Sequence, residues 1–160
     1  MHDLYPAQRI RSAVDLRPAS AAEDPQETDE SPKGSGDEAS PQRARILVVE
    51  DEFLVGAVLV QDLRSGGYDV VGPYANLASA QAAVAAESFD LAILDINLRG
   101  EMVYPVAAEL ANRQIPFFFL SGYTATSVPD QFRSYVRLSK PVDSKVVLQR
   151  IKRLLARKLT

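Results

Sequence analysis

From Arg45 onward, short apolar runs alternate with stretches whose apolar positions recur at helical spacing. Ile46 to Val49, Tyr68 to Val71, Asp90 to Leu94, Pro116 to Leu120 and Val136 to Leu138 are too short to be helices, and they read as five strands. Between the first two runs, Leu54, Val55, Val58, Leu59 and Leu63 fall on one face of a helix predicted over Glu52 to Ser65, which Gly66-Gly67 stops. Asn76 or Ser79 can cap an alanine-rich helix that turns Leu77, Ala80, Ala83 and Val84 inward. Gly100 turns the chain, and a helix from about Val103 to Arg113 follows with Pro105 in its first turn, where a missing amide donor costs little. Asp143 caps a last helix with Val147, Leu148, Ile151, Leu154 and Leu155 at helical spacing, ending in Arg157-Lys158 as the helix dipole prefers. Gly122 to Tyr135 is the least regular stretch, with only a brief helical signal around Asp130 to Ser134.

Strands alternating with helices imply right-handed βαβ crossovers and a parallel sheet covered on both faces. The fold class is α/β, doubly wound and five-stranded. Periodicity does not fix the strand order. The flavodoxin-like order 2-1-3-4-5 places the ligand crevice between the first and third strands, and that order brings Asp51 and Asp95 together.

Composition changes this picture mainly at the N-terminus. Residues 1–44 hold nine acidic against five basic side chains, a net of −4, whereas 45–160 hold twelve against thirteen, a net of +1. Half of the ten prolines also lie in 1–44. Such a segment buries too little apolar surface to offset its ordering entropy, so 1–44 is expected to be a disordered acidic tail and 45–160 the folded domain. The spacing of Leu4, Tyr5, Ile10, Val14 and Leu16 would also suit a short helix on a partner. There is no cysteine and one histidine, His2, which excludes thiolate and histidine-cluster metal sites and any triad that needs a histidine base. No apolar run approaches a membrane span, the start lacks a signal-peptide core, and no basic block is interleaved with aromatics. A soluble cytoplasmic protein without nucleic-acid or membrane partners is expected.

The candidate chemistry sits at strand ends. Glu50-Asp51 closes the first strand, Asp95 the third, Ser121 the fourth, and Lys140 follows the fifth. Three carboxylates crowded into one crevice either rise in pKa or gather around a cation. Oxygen-only ligands with several waters describe a Mg²⁺ site. A carboxylate beside that ion can attack an activated phosphoryl group, with Lys140 and the Ser121 hydroxyl stabilising the transferred charge. Taken singly, each of these residues would be a helix cap, a turn or nothing in particular. Their joint occurrence carries the reading.

The motifs Ile46-Leu-Val-Val-Glu-Asp-Glu52, Leu94-Asp-Ile-Asn-Leu98, Leu120-Ser-Gly122 and Ser139-Lys-Pro141 together resemble the receiver domains of two-component response regulators, over residues 45–158. The resemblance implies the (βα)5 receiver fold and phosphorylation at Asp95. It also implies Mg²⁺ held by Asp51 directly, by Glu50 through water and by the Asn97 carbonyl, a Ser121 that binds a phosphoryl oxygen and shifts, and a Lys140 that pairs with the phosphoryl group before a cis Pro141. The stretch Ile115-Pro-Phe-Phe-Phe-Leu-Ser-Gly-Tyr123 looks like the "FAT GUY" subgroup of alphaproteobacterial single-domain regulators, with Leu120 and Ser121 in place of Ala and Thr. The family's inward-turning aromatic is replaced here by Arg137, and Tyr135 is expected on the opposite strand face. Order in Gly122 to Tyr135 is therefore expected to change on phosphorylation.

The function that follows is a stand-alone phosphoryl-accepting switch, with no output domain after Thr160. It would be served by a sensor histidine kinase or a histidine phosphotransfer protein and would act on an unknown downstream protein or as a phosphate sink. A homodimer is left open. It would be no enzyme beyond its own phosphorylation and dephosphorylation, because an aspartate-nucleophile phosphatase needs an acid where Asn97 stands. The alternative is a phosphorylation-independent interaction module on the same fold. Phe132 and Tyr123 either face a partner or simply pack.

Overall fold

The computed structural model describes residues 42–122 and 128–158. In chain order these form β1 (Arg45–Val49), α1 (Phe53–Ser65), β2 (Asp69–Tyr74), α2 (Leu77–Ala86), β3 (Leu91–Asp95), β4 (Asn97–Leu98), β5 (Glu101–Met102), α3 (Tyr104–Asn112), β6 (Phe117–Ser121), a 3₁₀ turn (Asp130–Phe132), β7 (Arg137–Ser139) and α4 (Ser144–Lys158). Five strands form one sheet in the order β2-β1-β3-β6-β7, every pair parallel. This is the flavodoxin-like 2-1-3-4-5 order, with the chain reversing between β1 and β3. The short β4 and β5 form a separate antiparallel hairpin. All but 42–44 of the tail expected over 1–44, and the partner-helix reading at Leu4 to Leu16, lie outside the described residues, as do Tyr123 and 124–127, within the Gly122 to Tyr135 stretch expected to change order.

The sheet divides its side chains by the period-two rule. Leu47, Val49, Ala92, Leu94, Phe117 and Phe119 face one core with Ala80, Val84, Val106 and Leu110 of α2 and α3. Ile46, Val48, Leu91, Ile93, Phe118 and Leu120 face the other with Leu59, Leu63, Val147 and Ile151 of α1 and α4. Alternate residues of one apolar run thus supply two cores, which is why the central runs show no polar face. The Ser144 hydroxyl hydrogen-bonds the Asp62 carboxylate, tying the start of α4 to α1.

Several local expectations are settled or corrected. Asn76 rather than Ser79 caps α2: its Oδ1 accepts from the Ser79 amide at 2.9 Å. β2 runs past Val71 to Tyr74, since a strand at the sheet edge tolerates the bulge that Gly72-Pro73 makes between its Leu47 and Val49 partners. Leu54 and Val58 do not belong to the buried face of α1. They are 76% and 58% exposed beside Phe53 at 84%, while Gly56, Leu59 and Leu63 are buried. An apolar arc wider than the sheet can cover leaves its outer members in water. Between β6 and β7 the described residues hold no α-helix, only the 3₁₀ turn, where a (βα)5 chain has its fourth helix. Phe132 from that turn is 2% exposed and packs among Tyr104, Phe117, Phe119 and Tyr135, so it belongs to the core and not to a partner-facing surface.

Tyr135 also departs from expectation. It stacks on Phe117 with ring centroids 4.3 Å apart, on the sheet face that Arg137 shares through its register partner Phe119. Positions 135 and 137 differ by two and so point the same way, the opposite of the face expected for Tyr135.

Candidate functional site

β1 and β3 deliver their carboxylates by ending together. Val49 lies opposite Leu94 in the register, so Glu50 and Asp95 leave adjacent strands at one level. β6 ends beside them, with Leu120 opposite Asp95, and Ser121 pairs with Ser139, which places Lys140 at the same edge. The Lys140 amide donates to the Ser121 carbonyl at 2.8 Å, and the Lys140–Pro141 peptide is cis. The result is a cavity of about 280 Å³ lined by Asp51, Glu52, Asp95, Asn97, Arg99, Gly100, Gly122 and Lys140.

Lys140 bridges the buried acids. Its Nζ lies 2.6 Å from Asp95 Oδ2, 2.9 Å from Glu50 Oε1, 2.7 Å from Glu50 Oε2 and 3.6 Å from Glu52 Oε1. The side chains of Lys140, Glu50 and Asp95 are 13%, 0% and 8% exposed, so these ion pairs act with little solvent screening. Burial pushes the Glu50 carboxyl above its ordinary value, and the Asp95 charge adds to this, while the Lys140 hydrogen bond pulls it back only in part. Burial alone would lower Lys140, but its hydrogen bonds to Asp95 and Glu50 and their two charges outweigh that, and its pKa is raised.

Asp51 stands apart from this cluster. Its carboxylate faces Arg99 Nε at 3.7 Å, and its carbonyl accepts from Arg99 Nη2 at 3.3 Å. Asn97 donates its amide to Asp95 Oδ1 at 3.3 Å and accepts with its side-chain oxygen from the Gly100 amide at 2.6 Å, which fixes the hairpin turn. Ser121 is buried at the end of β6.

Sequence reasoning gathered Glu50, Asp51, Asp95, Ser121 and Lys140 at one sheet edge, and there they are. It missed two residues. Glu52 was read only as a helix start, yet Glu50, Glu52 and Asp95 each place an oxygen within 4.8 Å of one another. Arg99 carried no motif signal; only its adjacency to Gly100, a turn residue, pointed at a hairpin there.

The donor set fits a divalent oxygen-seeking cation. Glu50, Asp51, Glu52 and Asp95 outnumber Lys140 and Arg99 by two formal charges around the site. Glu50 Oε2, fully buried, has no hydrogen bond, although it lies within ion-pair distance of Lys140. A buried carboxylate oxygen without a hydrogen bond is costly unless a further cation or donor reaches it.

Beside the cavity runs an apolar groove of about 580 Å³ between α1 and the start of α4, lined by Leu54, Val55, Val58, Leu120, Pro141 and Val142 among others. Among the described residues no helix is long and apolar enough to cross a membrane.

Known proteins share this fold. The model of the response regulator receiver domain matches residues 46–152. The transcriptional regulatory protein PdtaR of Mycobacterium tuberculosis is 28% identical over 103 residues, which cover 64% of this chain and 49% of PdtaR, so the match spans about half of that relative. The solution structure of SdrG from Sphingomonas melonis Fr1 is 40% identical with a TM-score of 0.64, covering 71% of this chain and 97% of SdrG. The receiver domain of Erythrobacter litoralis PhyR is 27% identical with a TM-score of 0.63, covering 71% and 90%. The family's model thus runs from the first strand into the last helix and takes in Glu50, Asp51, Asp95, Ser121 and Lys140, and this chain belongs to the response regulator receiver domain family.

Proposed function

We propose that this receiver domain accepts a phosphoryl group on Asp95 from a phosphohistidine of a sensor kinase or histidine phosphotransfer protein, in a Mg²⁺-dependent reaction. The observation that carries the reading is the Lys140 ammonium held 2.6 Å from Asp95 Oδ2 in a cavity that Asp51 and Glu52 also line. Asp51 and Asp95, with Glu50 behind them and the Asn97 carbonyl, would hold the ion. When bound it would neutralise the acids and polarise the phosphoryl oxygens.

In the transfer, an Asp95 oxygen forms the new O–P bond, the N–P bond of the donor breaks, and the imidazole nitrogen leaves with its electron pair. Lys140 moves from pairing with the carboxylate to pairing with a phosphoryl oxygen, and Ser121 donates its hydroxyl to another. Asn97 accepts with its side-chain oxygen in the turn, and its carboxamide has no ionisable proton to give as a general acid, which supports self-limited turnover in place of ester hydrolysis. The exposed Phe53, Leu54 and Val58 next to the cavity offer the donor protein an apolar footing. The signal then passes by protein contacts, or the phosphoryl group is simply drained.

The test is intact-mass analysis after incubation with acetyl phosphate and Mg²⁺. The expected product carries one added phosphoryl in the wild type and none in Asp95→Asn or in EDTA. An unmodified wild type, or equal labelling of Asp95→Asn, rejects the reading.

A further inference from the structure

Arg99 sits where its backbone conformation is unfavourable. The turn joining β4 to β5 is the pair Arg99-Gly100, with φ of +54° and +98°. Two-residue turns of this hand favour Asn or Gly, because a Cβ-bearing residue at positive φ crowds the following carbonyl. An arginine there finds no compensation in packing, since its side chain is 75% exposed. What it does reach is Asp51, at the carboxylate and at the carbonyl, on the rim of the cavity that also holds Asp95 and Lys140. A side chain at a strained backbone position that reaches a reactive cluster points to a role in that cluster. The hairpin is anchored for the purpose: Asn97 Oδ1 holds the Gly100 amide, and the Val103 amide closes onto the Ile96 carbonyl at 3.0 Å.

Asp51 is also a carboxylate that the proposed function assigns to Mg²⁺, and the following inference rests on that reading. We propose that Arg99 binds at two stations: it pairs with Asp51 in the resting site and turns to the phosphoryl oxygens on Asp95 once Asp51 engages Mg²⁺. The exposed side chain is free to make that exchange. A guanidinium presents parallel N–H donors that match phosphoryl oxygens better than a second ammonium would. The site then has two cations with different duties. In the resting site Lys140 is buried between Glu50 and Asp95, whereas Arg99 is exposed at the mouth and competes with the metal until a phosphoryl group gives it another partner.

The two stations predict opposite effects on two ligands. Mg²⁺ is titrated into the full chain while amide NMR shifts of Asp51, Asp95 and Gly100 are followed. BeF₃⁻ is then titrated at saturating Mg²⁺ as a phosphoryl mimic. Arg99→Ala is expected to bind Mg²⁺ about two- to fivefold more tightly than wild type, the range of one exposed ion pair, and BeF₃⁻ at least about threefold more weakly. Arg99→Asn, which suits the turn, should behave as the alanine variant does, and Arg99→Lys should recover part of the BeF₃⁻ affinity. A purely structural role in the turn would move neither affinity in these directions. Mg²⁺ affinity in Arg99→Ala equal to or below wild type, or unchanged BeF₃⁻ affinity, overturns the inference and leaves the proposed function standing. A wild type that binds no Mg²⁺ removes both.

Discussion

Replacing Lys140 by methionine keeps much of the stem volume but leaves Glu50 and Asp95 facing each other without their shared cation. Both acids are almost wholly enclosed, and Lys140 supplies the shortest contacts to each, at 2.6 to 2.9 Å. Removing one partner of a buried ion pair costs about 3–5 kcal/mol, chiefly because a buried charge is left uncompensated. The lower end applies here, at about 3 kcal/mol, since the site opens on a water-accessible cavity. With a urea m-value of about 2 kcal/mol/M for a domain of this size, the unfolding midpoint in EDTA at pH 7.5 should fall by about 1.5 M.

The pH dependence carries the sharper test. Glu50 is already raised by burial, and Lys140 is what holds it down, so the variant raises it further. A carboxyl with a folded pKa above its unfolded value binds protons more tightly when folded. Its penalty is therefore absent below the unfolded value and develops as pH rises through the folded one. The deficit of Lys140→Met should thus be smaller at pH 5 than at pH 7.5. A deficit below about 1 kcal/mol at pH 7.5, or one equal at both pH values, would refute the claim that these three groups form a buried, mutually dependent unit.

Wild-type stability should also decline above the ordinary lysine range: the raised Lys140 contributes stability that is complete below pH 10.5 and is lost as pH climbs through its folded value, a loss absent from Lys140→Met in alkaline urea titrations. Phe132→Ala, which empties a site between Tyr104, Phe117 and Phe119, should cost about 3–5 kcal/mol in chemical denaturation, whereas Phe53→Ala should stay within about 0.5 kcal/mol. Gly72→Ala meets both a φ of +102° and the Val48 carbonyl 2.7 Å from the added Cβ, and should lose about 2–3 kcal/mol. Asn76→Ala should lower stability by about 1 kcal/mol through the loss of the α2 cap.

Asp95 illustrates what local pattern can carry. An acid that ends an apolar run too short for a helix stands at a strand end, and the crevice of an open parallel sheet lies at such ends, so the position was legible before any coordinates. Glu50 and Lys140 follow by the same logic, and the helical spacing in α3 and α4 marked those helices to within a residue or two. Arg99 and Glu52 were not legible, because their place in the site depends on which way a turn and a helix start point their side chains.

The sequence alone determined the alternation of five strands with helices and the acids and amine that close them, since side-chain period and strand length are set by neighbours along the chain. Tertiary structure alone decided the rest. Leu54 and Val58 went to solvent because a sheet covers only part of a helix, Phe132 came to cover Phe117 and Phe119, and Lys140 came to lie between acids from two other strands. These outcomes depend on distances between residues far apart in sequence, which no local periodicity encodes.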